Sequence, residues 1–93
     1  MQIIHHEDPK KGIFIATSDG KKAGEMTYTW AGEQKFIIDH TEVDPAFAGQ
    51  GVGQKMVEES VHYARQRGIK IMPLCPFAKK MLERHTEWQD VLF

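Results

Sequence analysis

The stretch Gly49-Gln50-Gly51-Val52-Gly53 constrains this chain more than any other, because it separates two kinds of periodicity. Before it, apolar and polar residues alternate, the mark of half-buried strands; after it, apolar residues recur at helical spacing. Glycines at a strand-to-helix turn admit left-handed backbone and let neighbouring groups approach the main chain closely. Such a turn also leaves the first N–H groups of the helix unpaired at the positive end of its dipole. A further apolar run, Ile69 to Met72, follows the helix. A strand-helix-strand unit crosses over right-handed and sets its two strands parallel.

Upstream, Ile3 to His5 and Gly12 to Thr17 read as short strands, and Ser18-Asp19-Gly20-Lys21 as a hairpin turn. In Ala23 to Trp30, Met26, Tyr28 and Trp30 share one face, while Glu25, Thr27 and Thr29 share the other. Ala31-Gly32-Glu33-Gln34 is a second turn, and Lys35 to Val43 the next strand, ended by Asp44-Pro45. The helix running to Gly68 carries Val52, Met56, Val57, Val61 and Ala64 on one stripe, with Lys55, Glu58, Glu59, Arg65 and Gln66 facing away. Arg65 and Arg67 suit its negative end, and Gly68 is placed to close it. Ile69 to Met72, ended by Pro73, should lie parallel to the Phe36–Val43 strand. Phe77 to Arg84 forms a shorter helix with Pro76 at its first position and Phe77, Ala78, Met81 and Leu82 inward. Trp88, Val91, Leu92 and Phe93 are too apolar for a free end and should pack back on the sheet. The expectation is one α+β domain over residues 1–93, a mixed, mostly antiparallel sheet with two helices.

Composition narrows the function. Twelve Lys and Arg against 13 Asp and Glu give a net charge of -1, which lacks the basic footprint of a general nucleic-acid binder. Tyr28, Trp30 and Phe36 would otherwise make a stacking platform; core packing explains them better. The single cysteine excludes an intramolecular disulfide and a Cys-rich zinc site. His5 and His6 are adjacent on a strand and point to opposite faces, so they suggest no metal pair. No apolar run is long enough to cross a bilayer, and the first residues lack the pattern of a signal peptide, so a reduced, cytoplasmic location is expected.

The glycines fit neither familiar nucleotide motif. A P-loop needs Lys-Ser/Thr after its last glycine, whereas Lys55 follows Gln54 and precedes Met56; a dinucleotide fingerprint needs glycine where Gln54 stands. The wider pattern is Val43-Asp44-Pro45, a short spacer, then Ala48-Gly49-Gln50-Gly51-Val52-Gly53 opening a helix. It resembles the GNAT superfamily of acetyl-CoA-dependent N-acetyltransferases, whose signature is Gln/Arg-x-x-Gly-x-Gly/Ala. Gly51 and Gly53 match both glycine places, and Ala48 stands where the family usually has Gln or Arg. Pro73-Leu74-Cys75-Pro76-Phe77 and Arg84-His85-x-x-Trp88 are similar to a minimal single-domain branch of that superfamily. The resemblance implies acetyl-CoA as cosubstrate. Thr41, Glu42 and Val43 would offer main-chain groups to the pantetheine arm. Main-chain N–H groups of the turn, among Gly49, Gln50, Gly51, Val52, Gly53 and Gln54, would hold the pyrophosphate. Lys55, Lys79 or Lys80 would balance the remaining charge, although each also reads as a solvated surface lysine.

Cys75 precedes a helix, where the dipole favours thiolate, and in a GNAT-like arrangement it lies near the CoA sulfur. It would take the acetyl group or protonate the departing thiolate; the competing reading is a small buried hydrophobe. An amine acceptor must lose a proton, and His40, Glu42 and His85 are candidate bases. His40 has the pKa and the place for it, beside the reading of a structural histidine. His85 is explained by capping. Many GNAT enzymes carry a Tyr acid on the final helix; here that helix has Phe77 and no Tyr, which turns attention to Cys75. The resemblance implies acetyl transfer through a tetrahedral intermediate, its oxyanion held by an N–H near Thr41 to Val43. Rival readings are an acyl-CoA-binding module without turnover and a structural protein with a ligand-free glycine turn. Typical GNAT enzymes are longer, with helices walling the acceptor site. An open cleft, a subunit interface or an acceptor presented on a macromolecule would each serve a shorter chain, and nothing in the residues names the amine.

Overall fold

The computed structural model describes residues 1–93. Its elements are β1 (Gln2–Glu7), β2 (Lys11–Ser18), β3 (Lys21–Trp30), β4 (Lys35–Val43), α1 (Val52–Arg67), β5 (Lys70–Pro73) and α2 (Pro76–Arg84), with 3-10 turns at Pro45–Phe47 and Thr86–Val91. The five strands form one sheet in the order β1-β2-β3-β4-β5. β1 to β4 are an antiparallel meander, and β5 pairs parallel to β4. The α+β expectation and the parallel crossover both hold; β1 to β3 extend a residue or two beyond the expected ends, and β4 has the expected bounds.

Two ends differ for physical reasons. Ile69 does not start β5: its N–H donates to Ala64 O at 3.0 Å, closing α1 beyond the left-handed Gly68 (φ 66). Pro73 is not outside β5 but its last residue, opposite Ile38, where no further ladder N–H is required of it.

Both helices pack on one face. Phe14, Ala16, Met26, Tyr28, Phe36, Ile38 and Ile71 from the sheet join Val52, Met56, Val57, Val61 and Ala64 of α1 and Ala78 and Leu82 of α2 in a single buried cluster. The stripe read from the sequence is the buried stripe of α1. Ile13, Ile15, Ile37 and Met72 lie outside this cluster, half-buried on the opposite face. The tail returns as expected: Leu92 bridges to Ile71, Phe93 N–H donates to Ile71 O at 2.9 Å, and Trp88 and Val91 enter the core.

A bulge in β4 sets the geometry that follows. Pairing passes from Thr27↔His40 to Tyr28↔Ile38, so Asp39 is an extra residue. A bulge switches which residues face which side. Phe36 and Ile38 face the helices before it; after it Thr41 and Val43 turn that way, while His40 and Glu42 are exposed on the open face.

Candidate functional site

Gly49 and Gly51 both take left-handed backbone, with φ of 80 and 74. Gly51 is the N-cap of α1 and offers no side-chain cap, and the first turn holds no acidic residue. The first helical bond is Lys55 N–H to Gly51 O at 3.0 Å. The N–H groups of Gly51, Val52, Gly53 and Gln54 are therefore left at the positive end of the dipole with no carboxylate competing for them. Gln50 is not among them: its N–H donates to Phe47 O at 3.3 Å, which removes it from the expected Gly49-to-Gln54 set. Gly53 serves packing as well, since a Cβ there would stand 2.4 Å from Phe77 Cζ.

A groove of about 320 Å³ runs along this turn, lined by Val43, Phe47, Gly49, Gly51, Gly53 and Phe77 among others. β4 forms its far wall because β5 leaves the sheet at this point. The N–H groups of Leu74 and Cys75 both donate to Ile38 O at 3.1 Å, which ends the β4–β5 pairing. The main-chain groups of Thr41 and Val43 on that edge then have no strand partner. Asp44 N–H donates to Ala23 O of the β3 side at 2.8 Å. Main-chain direction alternates along a strand, so Glu42 also turns its N–H towards β3. Of the expected trio, Val43 lines the groove, Thr41 lies on the same side of β4, and Glu42 is turned the other way.

Cys75 is the N-cap of α2, and only 6% exposed. Its Sγ lies 3.5 Å from Thr41 Oγ1. Burial pushes the thiol up, but the Thr41 hydroxyl and the N–H groups of Ala78, Phe77 and Thr41 outweigh it and hold the thiol below its usual value. The α2 N–H groups face the sulfur without closing a full capping hydrogen bond, so their influence is electrostatic.

His40 is not brought to Cys75. The bulge turns it to the open face, 62% exposed and 3.6 Å from Glu42 Oε2. His85 accounts for itself structurally, with Nδ1 2.8 Å from Met81 O and its ring stacked on Trp88 at 4.1 Å. Lys55 lies 3.9 Å from Glu58, and Lys79 and Lys80 are exposed. His5 and His6 do face opposite ways: His5 packs between Phe14 and Tyr63, and His6 is exposed.

The sequence reading missed a second polar cluster at the far end of the sheet. Tyr28 Oη donates to Glu7 Oε2 at 2.6 Å, and Tyr63 Oη reaches both Glu7 oxygens at 2.7 Å. Burial pushes the Glu7 carboxyl up, yet the hydrogen bonds from Tyr28 and Tyr63, with His5 and Arg67 nearby, leave it below its usual value. Burial and Glu7 raise both phenols, that of Tyr63 to about 12. Only the alternation that turns Tyr28 inward hinted at this cluster. Shallow depressions of about 650 and 660 Å³ flank it, larger than the groove but without a helix N-terminus.

The glycine turn and Val43 at the end of β4 line one groove, and Thr41 and Cys75 lie next to each other further along the same β4 edge. The family described as GCN5-related N-acetyl-transferase matches residues 13–91, which contain all of these. An uncharacterized N-acetyltransferase of Methanocaldococcus jannaschii is 30% identical over 69 residues, 68% of this chain and 30% of that protein. This chain therefore spans under a third of the length of that relative. The solution structure of a GCN5-like protein from Staphylococcus aureus is 34% identical, with a TM-score of 0.73, covering 99% of this chain and 87% of that one. A Bacillus anthracis protein crystallised with acetyl coenzyme A shares the fold at 21% identity and a TM-score of 0.62, over 71% of this chain and 39% of that one. With the match spanning β2 to the returning tail, the chain belongs to the GCN5-related N-acetyltransferase family.

Proposed function

We propose that residues 1–93 act as one GNAT-like domain, an acetyl-CoA-dependent N-acetyltransferase that moves an acetyl group to an amine. The observation that carries this reading is the end of β4–β5 pairing at Ile38, which opens the edge of Thr41 and Val43 between the glycine turn and Cys75. The unpaired N–H groups at the start of α1, with no carboxylate in its first turn, support a diphosphate there. Family membership supports acetyl-CoA as the cosubstrate.

In this reading Gly51, Val52, Gly53 and Gln54 bind the diphosphate through main-chain N–H groups. Thr41 and Val43 orient the pantetheine arm along the open edge, as a further strand would lie there. Acetyl-CoA supplies an activated thioester and a thiolate leaving group. His40 and Cys75 lie on opposite sides of β4, so the expected base stands away from an amine that attacks on the Cys75 side. On the helix side, Cys75 meets the thioester. As a nucleophile its thiolate attacks the acetyl carbon, the bond from that carbon to the CoA sulfur breaks, and CoA leaves as its thiolate. The amine then attacks acetyl-Cys75, its proton passes to water, and Cys75 departs as thiolate. The lowered thiol pKa favours this covalent role over proton donation. A reducing, cytoplasmic setting belongs to the same proposal, supported by the need to keep Cys75 reduced.

The test is turnover with a panel of amines, read as CoA release, together with intact mass after acetyl-CoA alone. The proposal expects amine-dependent release, an adduct of one acetyl group, and loss of both in Cys75→Ala. Release without an adduct that survives in Cys75→Ala would remove Cys75 from the chemistry. Binding of acetyl-CoA with no amine accelerating release would make the chain a non-catalytic acyl-CoA-binding module.

A further inference from the structure

We infer that Thr41 is the positioning residue of Cys75: its hydroxyl holds the sulfur between the open edge of β4 and the first turn of α2. The inference rests on the proposed function for its consequence, but not for its geometry.

The β4 bulge is the starting point. With Asp39 extra, Thr41 occupies the side that alternation would otherwise give to His40. Its hydroxyl meets Sγ at 3.5 Å, within reach for a sulfur hydrogen bond, and has no other hydrogen-bond partner. The main-chain N–H of the same residue has no β3 partner and adds to the pull that holds the thiol low. As a thiol, Cys75 donates to Thr41 Oγ1; as a thiolate it accepts, because a threonine hydroxyl rotates to suit either state. A partner that serves both protonation states can hold the sulfur in one place through a cycle of ionisation and acylation. α2 adds its dipole and the N–H groups of Phe77 and Ala78 from the other side.

No charged group does this work. His40 and Glu42 on β4, Lys55 on α1, and Lys79 and Lys80 on α2 are all exposed. Burial opposes ionisation, and the Thr41 hydroxyl with the nearby N–H groups outweighs it. Serine keeps the hydroxyl; valine keeps the shape and loses it.

The chain holds one cysteine, so thiolate absorbance in the ultraviolet reports Cys75 alone once a Cys75→Ala spectrum is subtracted at each pH. Thr41→Val should lower the thiolate fraction at neutral pH about tenfold, moving the titration to higher pH. Thr41→Ser should follow the wild-type curve. Circular dichroism establishes that each variant is folded, and Thr41→Ala replaces the valine variant if that one is not. A Thr41→Val curve overlaying the wild type would overturn the inference. So would a Thr41→Ser curve shifted as far as the valine one, since methyl packing rather than the hydroxyl would then be at work. No acetyl-CoA is present, so failure here leaves the proposed function standing, and failure of that function leaves this result standing.

Discussion

Gly49, Gly51 and Gly53 look alike in the sequence but obey different constraints. A Cβ at Gly51 meets nothing within 4 Å, and its φ of 74 is the whole obstacle, whereas Gly53 has Phe77 Cζ 2.4 Å from where its Cβ would be. Gly53→Ala should therefore overpack the α1–α2 contact and cost about 1–3 kcal/mol in denaturant unfolding. Gly51→Ala should cost about 1–2 kcal/mol through strain alone. Adding Phe77→Leu separates the two causes: most of the Gly53→Ala loss should return, and none of the Gly51→Ala loss. Equal rescue of both would refute the assignment of constraints. That these positions had to be glycine was legible from a strand-to-helix turn; which force acts at each was not, because Phe77 arrives from another helix. His40 gives the opposite lesson. Regular alternation places it with the cofactor, and one extra residue, Asp39, moves it to the other face. The adjacent polar pair Asp39-His40 was the available signal, but polar neighbours also occur in unbulged strands.

Between elements, the tie from β1 to α1 is the least legible feature. Glu7 and Tyr63 are 56 residues apart, and no local pattern joins them. Tyr28 is fully buried, and its hydroxyl lies 2.5 Å from His5 Nε2 and 2.6 Å from Glu7 Oε2. Tyr28→Phe should cost about 1–3 kcal/mol, because it leaves those groups without their shared partner. Tyr63→Phe, at a wetter position, should cost less. The cluster also fixes a pH response. Glu7 binds its proton less readily folded than unfolded, so its contribution is complete above a carboxylate's usual pKa of about 4.3 and is lost as pH falls through the folded value. The phenols, raised on folding, contribute below about pH 10 and lose that contribution as pH rises through their folded values. Urea midpoints measured across pH should fall at both ends, and Glu7→Gln should flatten both falls. Unchanged slopes in Glu7→Gln would contradict the assignment. The tail was legible from its apolar residues alone. With Trp88 5% exposed and stacked on His85, Trp88→Ala should cost about 3–5 kcal/mol, read from the same midpoints.

Across the whole molecule, the order of elements carried the fold. A meander, a glycine turn, a long helix and a parallel strand leave few topologies once the crossover is right-handed. The sheet then splays where Ile38 O accepts from Leu74 and Cys75, a detail of main-chain direction that no residue type announces. One face of the sheet carries both helices, and the groove proposed for the cosubstrate lies between that layer and the end of β4. A ligand that binds only the folded chain should stabilise it, by about 2.7 kcal/mol at a concentration 100 times its Kd. The most direct test of the central claim is a CoA titration of isotope-labelled protein followed by amide shifts. The account predicts saturable shifts at Gly51, Val52, Gly53 and Gln54 and at Thr41 and Val43, with Glu7 and Tyr63 unmoved. A flat response along the glycine turn, or shifts confined to the Glu7–Tyr63 end, would contradict it.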